Sequence, residues 1–241
     1  MTENGAKEMK GDLNIRWIGQ GGSLLSDEKT EICIDPYLSD VVGRVAGRAR
    51  MVEPPFAPKD LKSDLVICTH DHLDHVDIDA IPEMNKAIPF YAPTHAEKTL
   101  RACGVTNYKP FDEGQIYTVK DFEIEAVYAA HSVPAIGVLV RHSGLTLYIS
   151  GDTEYDARLE GLKDKTIDLM IICINGRLGN MNAEEAARLT KILSPRAGIP
   201  THYGMFESNT EDPAAYTSKI DCGFILDYNR EYSVKEILEN V

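Results

Sequence analysis

Thr69-His70-Asp71-His72-Leu73-Asp74-His75 is the stretch on which the reading of this chain turns. It directly follows residues 64–68, an apolar run of strand length with β-branched members. Three imidazoles and two carboxylates fall within six residues, a density with no use on a solvated loop. Divalent metals of the zinc type take neutral imidazole nitrogen and carboxylate oxygen, and they need several such groups to converge. His70 and His72, two apart on an extended segment, point the same way. Asp74 and His75 sit where the chain turns toward a helix, so one segment can feed two neighbouring metals.

Outward from that motif, strand-like runs occupy residues 13–18, 23–25 and 31–34, the last ending at Asp35-Pro36. A long connection rich in Gly, Arg and Pro covers residues 37–60. Beyond the motif, the pattern gives a helix near 79–85, a strand at 88–92 and a helix over 94–103 ended by Gly104. Short strands at 115–119, 122–128, 137–141 and 146–149 follow, the last two joined by a tight turn at Ser143-Gly144. A strand at 169–174 leads to a helix with Asn182 at its N-cap and Glu185 three residues on. Ala186, Leu189 and Leu193 share one face of that helix, Pro195 follows it, a strand covers 197–200, and a further helix starts near Asp212-Pro213. No repeat or composition shift divides the chain, so a single domain over residues 1–241 is expected, with two sheets and helices packed outside.

The motif resembles the first metal motif, His-x-His-x-Asp-His, of the metallo-β-lactamase superfamily. Later residues of that pattern are present in order: His131 after the strand containing Val127 and Tyr128, Asp152 in Gly151-Asp152-Thr153, and His202 after Ile199-Pro200-Thr201. The resemblance spans residues 12 to about 206. It implies an α+β, four-layer αββα sandwich and two divalent ions. His70, His72 and His131 would hold one ion and Asp74, His75 and His202 the other, with Asp152 bridging. His95 and His142 fall outside it and read as structural or solvated, in a first helical turn and a hairpin turn.

Residues 174–182, residues 200–206 and Tyr148-x-Ser150-Gly151-Asp152 look like the branch typified by L-ascorbate-6-phosphate lactonase. The chain is shorter than is typical of that branch, and Tyr203 follows His202. The branch implies hydrolysis of a small anionic ester or lactone, such as a phosphorylated sugar lactone, by a metal-bridging hydroxide. Asp74 would relay a proton to the leaving alkoxide, while Tyr203 either donates a hydrogen bond or is a buried structural tyrosine. The all-nitrogen-and-oxygen donor set suits Zn²⁺, Mn²⁺ or Fe²⁺, and the branch tilts the expectation to Mn²⁺. A phosphodiesterase on a small phosphate ester, or a metal-binding regulatory protein without turnover, are the alternatives. A di-iron oxidoreductase fits less well, because that branch usually carries Glu where this chain has His72.

Charge narrows the partners. Thirty-eight Asp plus Glu against 25 Lys plus Arg leave −13, which disfavours nucleic acid and anionic membranes but not a small anionic substrate. Against that background residues 41–50 hold Arg44, Arg48 and Arg50 and no acid. These three, with Asn175, Arg177 and Asn180 from the Gly-containing segment before the capped helix, are the candidate substrate-binding residues. A solvated basic loop, an oligomer contact or a plain strand–turn–helix connection would use the same residues, and a homo-oligomer is compatible with the resemblance. Asp35 either orients a metal-bound imidazole or simply ends a strand before a proline turn. Five widely spaced cysteines without Cys-x-x-Cys, a polar N-terminus without a signal-peptide core and no long apolar run lead to the expectation of a soluble cytoplasmic protein.

Overall fold

A computed structural model describes residues 12–241; the polar N-terminal segment 1–11 lies outside the described residues. The first half builds strands β1 (Asn14–Gly19), β2 (Gly22–Ser26), β3 (Glu31–Ile34), β4 (Leu65–Ile67), β5 (Phe90–Ala92) and β6 (Tyr108–Pro110). The second builds β7 (Ile116–Val119), β8 (Phe122–Tyr128), β9 (Ile136–His142), β10 (Leu145–Ile149), β11 (Leu169–Cys173), β12 (Ala197–Thr201) and a late β13 (Glu231–Ser233). They form a seven-stranded sheet, β13-β1-β2-β3-β4-β5-β6, and a six-stranded sheet, β12-β11-β10-β9-β8-β7. Helices α1 (Val41–Ala46), α2 (Glu97–Ala102), α3 (Ala183–Leu193), α4 (Ala214–Thr217) and α5 (Val234–Glu239) complete the regular elements, with short 3₁₀ turns between them.

The alternation along each strand explains the layering. Ile32, Ile34, Leu65 and Ile67 join Leu147, Ile149, Leu169 and Ile171 in one buried cluster between the sheets. Their neighbours turn the other way. Cys33, Val66 and Cys68 meet Ile81 and Leu100 on the outside of the first sheet, and Met170 and Ile172 meet Ala186, Leu189 and Leu193 on the outside of the second. With side chains alternating at a period of two, each sheet has two apolar faces and needs cover on both. The result is the four-layer α+β sandwich.

Helix α3 shows the sequence-level cap at work. Asn182 accepts from the Glu185 N–H at 2.9 Å, and Glu185 accepts from the Asn182 N–H at 3.0 Å. Asn182→Ala is expected to cost about 1 kcal/mol, measurable as a lower urea midpoint with an unchanged slope.

Several expectations are corrected. The segment 79–85 is not an α-helix but a turn followed by a 3₁₀ turn, Ile81–Glu83. Pro82 removes one donor, and the Asp77 carboxylate takes the N–H groups of Leu38, Ser39, Asp79 and Ala80, holding the chain in turn geometry. His142 ends β9 instead of sitting in a turn, buried and stacked on Phe122 with ring centroids 4.1 Å apart. Within the connection 37–60 the structure forms the short helix α1. All five cysteines are free thiols, and no helix among the described residues is long and apolar enough to cross a membrane.

Candidate metal centre

Strand ends bring the site together. Asp35 and the 69–75 motif leave the carboxyl ends of β3 and β4, which run parallel. Strands β10, β11 and β12 are parallel to one another, and β8 runs the same way as β10 because both are antiparallel to β9. His131, Asp152 and His202 therefore leave one edge of the second sheet, after β8, β10 and β12. The Ile136 N–H donates to the Thr69 carbonyl at 3.0 Å, stitching the two sheets at that edge. Gly151 permits the approach: at φ +57° a Cβ there would lie 2.9 Å from the Ile136 carbonyl oxygen and 3.1 Å from the Thr69 side chain.

All seven ligand-type residues named from the sequence come together. His72 Nδ1 lies 3.0 Å from His70 Nε2 and 3.1 Å from His131 Nε2. Two nitrogens each ~2.0–2.1 Å from one ion at a tetrahedral angle are roughly 3.3 Å apart, so this spacing fits a shared ion. In the second group His75 Nε2 and His202 Nε2 are 3.4 Å apart, and Asp74 Oδ2 is 3.8 Å from each. Asp152 Oδ1 lies between, 2.7 Å from His202 Nε2 and 3.4 Å from His75 Nε2. That oxygen is buried and makes no aligned hydrogen bond. Imidazole nitrogens and carboxylate oxygens, ligand atoms converging at such distances, are the arrangement a cation relieves, so these residues fit one or two divalent ions.

The outward nitrogens are anchored. His75 Nδ1 lies 2.8 Å from Asp35 Oδ2, both side chains fully buried. Asp35 also accepts from the Thr69 N–H at 2.7 Å and the Thr69 hydroxyl at 2.8 Å, and that hydroxyl faces His70 Nδ1 at 3.1 Å. One carboxylate thus orients an imidazole in each group. His131 Nδ1 faces the Gly179 carbonyl at 2.9 Å. A carbonyl only accepts, so the proton sits on Nδ1 and Nε2 is left for the ion. Gly179, at φ +88°, is needed there because a Cβ would come within 2.9 Å of that same nitrogen.

Electrostatics divide the two groups. Burial, and then the neighbouring His75, hold His70 well below the usual histidine range; burial and His131 lower His72. Both are neutral at pH 7 and ready to bind. Burial also opposes charging of His75, but Asp35, Asp152 and Asp74 outweigh it and raise its pKa well above 6.5. Burial opposes ionisation of Asp152, yet the facing His202 and His75 hold its carboxyl well below the usual range. The carboxylates that favour a proton on His75 are the same ones that would draw in an ion, so proton and ion compete there. Titrating stripped protein with Mn²⁺ or Zn²⁺ at pH 8, 7 and 6 should show one binding step weakening by about tenfold per unit with proton release. The other step should resist acid until pH falls below 6.5, and excess metal should offset the loss. Equal pH dependence of both steps would contradict this division.

The remaining candidates scatter. Asn180 Nδ2 donates to Asp152 Oδ2 at 2.9 Å and lies 3.0 Å from Asn175 Oδ1, while Asn175 Nδ2 donates to Asn209 Oδ1 at 2.8 Å. This amide chain holds the second oxygen of Asp152, so Asn175 is placed as support and not as a substrate contact. Arg44 pairs with Asp79 at 2.6 Å, outside the cavity. Arg50 donates to the carbonyls of Ser39 and Val52 and lies over the Tyr37 ring. Arg177 donates to the Ser208 carbonyl at 2.9 Å. Tyr203 does not face the cluster. His202 adopts φ +65°, and the following ring turns away to pack on Trp17 at 4.7 Å, beside a separate cavity with Leu226 and Tyr228; burial pushes its hydroxyl up to about 12. Only Arg48 and Asn180 of the six border the cavity that holds His72, Asp74, Asp152 and His202, about 490 Å³ in volume. His95 contacts Asp71 at 3.3 Å, half exposed, on the far side of the motif.

Sequence reasoning missed Gln20. It is fully buried, its Nε2 donates to Asp74 Oδ2 at 2.8 Å and lies 3.0 Å from His202 Nδ1, and its carbonyl accepts from the His202 N–H at 3.1 Å. A polar residue between Gly19 and Gly21 at a strand end was the available signal.

A two-sheet sandwich with His and Asp clustered at one edge defines a candidate metal centre. The chain belongs to the beta-lactamase superfamily, whose domain model matches residues 30–203. It is similar to a UPF0173 protein of Pyrococcus furiosus, 24% identical, covering 86% of this chain and 90% of the relative. A UPF0173 metal-dependent hydrolase of Methanosarcina mazei is 26% identical over 87% and 91%. Among solved structures, the metallo hydrolase Igni18 of Ignicoccus hospitalis has a TM-score of 0.76 at 19% identity, over 91% of this chain and 97% of that one. An isothiocyanate hydrolase from Delia radicum gut bacteria has a TM-score of 0.76 at 21% identity, over 91% and 98%.

Proposed function

We propose that this chain hydrolyses a small anionic ester or lactone at a two-metal centre formed by His70, His72, His131, Asp74, His75, His202 and Asp152. The observation that carries the reading is Asp152 Oδ1, buried and without an aligned hydrogen bond between two imidazole groups. A ligand atom of Asp152 also lies within 4.8 Å of one on His70, so Asp152 adjoins both groups, as a bridging ligand must. Divalent ions such as Mn²⁺ or Zn²⁺, which these seven residues would hold, would supply a water-derived nucleophile at neutral pH and charge stabilisation for a carbonyl oxygen.

The chain's own residues do the rest. Asp74 reaches the cavity wall while Gln20 fixes its Oδ2, which supports a role for Asp74 in carrying a proton to the leaving alkoxide. Asn180 and Asn175 keep Asp152 from rotating. Leu73, Val42 and Phe206 line the same cavity and limit water around the reacting bond.

The test is a panel of lactones, carboxylic esters and phosphodiesters with chelator-stripped protein, before and after adding Mn²⁺ or Zn²⁺. Lactone or ester hydrolysis that appears only with metal is the expected result. Turnover of phosphodiesters alone would move the assignment to a phosphodiesterase, and metal binding without turnover of any substrate would favour a regulatory role.

A further inference from the structure

The four arginines nearest the site divide sharply. Arg44 is spent on Asp79, Arg50 on backbone carbonyls and Arg177 on the Ser208 carbonyl. Arg48 alone makes no side-chain hydrogen bond or ion pair among the described residues, and it is the one Lys or Arg side chain lining the metal cavity. In a chain of net charge −13, an arginine left without a carboxylate partner beside a cluster that collects cations is unexpected on charge grounds alone.

Leu178 lines the same cavity. It is nonetheless 58% exposed, and it adopts φ +57°. A branched, bulky residue pays strain in that left-handed region, and such strain collects where a side chain must be held in place for a ligand. Val42, Leu73 and Phe206 add apolar surface to the same cavity; with Leu178 they form its apolar wall.

We propose that Arg48 and this wall select the substrate: an ester or lactone with an apolar body and a carboxylate remote from the scissile bond. The inference rests on the hydrolase reading and sharpens it. A guanidinium matches a carboxylate with two parallel N–H···O bonds, while the wall takes a hydrocarbon chain and offers few partners to sugar hydroxyls.

Binding tests this without turnover. In metal-loaded protein, the affinities of octanoate and suberate are compared by calorimetry; both can place one carboxylate at the metals, but only suberate has a second for Arg48. Shorter dicarboxylates, adipate and glutarate, set the span. The best dicarboxylate should bind about 10–100-fold tighter than the monocarboxylate of equal length. Arg48→Gln should collapse that ratio, Arg48→Lys should keep part of it, and Arg44→Gln should leave the ratio intact. Affinity of the monocarboxylates should rise about fourfold per methylene. Leu178→Asn, which tolerates the left-handed backbone, should flatten that series. An unchanged ratio in Arg48→Gln, or no chain-length dependence in the parent protein, would overturn the proposal. A phosphonate analogue of suberate that outcompetes suberate through Arg48 would overturn the carboxylate assignment. If the ratio behaves as stated while no ester or lactone is turned over, the hydrolase reading falls and the recognition site stands.

Discussion

Asp152→Ala is expected to lower hydrolysis by about 10³-fold, the rate equivalent of ~4 kcal/mol of lost Lewis-acid stabilisation. The reason lies in position more than in charge. Asp152 is the one carboxylate whose free oxygen faces both His75 and His202, while its other oxygen is held by Asn180. Without it, the imidazole trio His70, His72 and His131 keeps its spacing and should still take an ion, but the second group loses the carboxylate that adjoins His202, His75 and also His70 of the first. Elemental analysis should fall from two ions per chain toward one, alongside the loss of rate. Asn180→Ala should reproduce a weaker version, with metal affinity down about 10–100-fold, as expected when the partner of a ligand is removed. Two fully bound ions in Asp152→Ala would remove it from the bridging position.

Asp35→Ala is the second large effect. This carboxylate meets His75 Nδ1 directly and His70 through the Thr69 hydroxyl. Its loss should weaken metal binding by about 10–100-fold in competition with a chelator. It also strands the buried Thr69 N–H and hydroxyl, at roughly 1–3 kcal/mol for each unsatisfied group, so the stripped protein should melt lower. Asp35→Asn separates the two consequences. Asn tolerates the φ of +48° seen here and keeps hydrogen bonds to Thr69, but it lacks the charge that holds the His75 proton. Asn should recover most of the stability and little of the affinity. Full recovery of both would mean that Asp35 only ends its strand.

The legible parts of this molecule are those written in local chemistry. Residues 31–34 and 122–128 alternate or run apolar within a few positions, and their strands have those bounds. Asn182 and Glu185 sit three apart and cap α3. The ligand-type residues were readable because three imidazoles crowd one segment, and their later companions follow strands. What escaped detection depends on distant partners. Strand β13 pairs with β1, Tyr232 opposite Ile15, across most of the chain, and no local pattern announces such an edge strand. The same holds for the arginines: residues 41–50 show three cations without an acid, but whether each meets Asp79, a carbonyl or the cavity is decided by tertiary packing. Gln20 is invisible for the same reason, since its partners Asp74 and His202 lie far along the chain.

Each of the two ligand groups draws on both sheets. His70, His72, Asp74 and His75 hang from the first; His131, Asp152 and His202 hang from the second. Apart from the backbone bonds from Ile136 to Thr69 and from His202 to Gln20, the layers meet through side-chain packing, which resists separation better than sliding. Ions seated at this edge would act as rivets through two plates, fixing the offset of one sheet against the other and the register of the ligand groups with it. Free metal concentration then sets mechanical stiffness as well as chemistry, since an ion at a hundred times its dissociation constant adds about 2.7 kcal/mol to the folded state. A cell short of metal would hold a protein that is looser between its layers as well as idle.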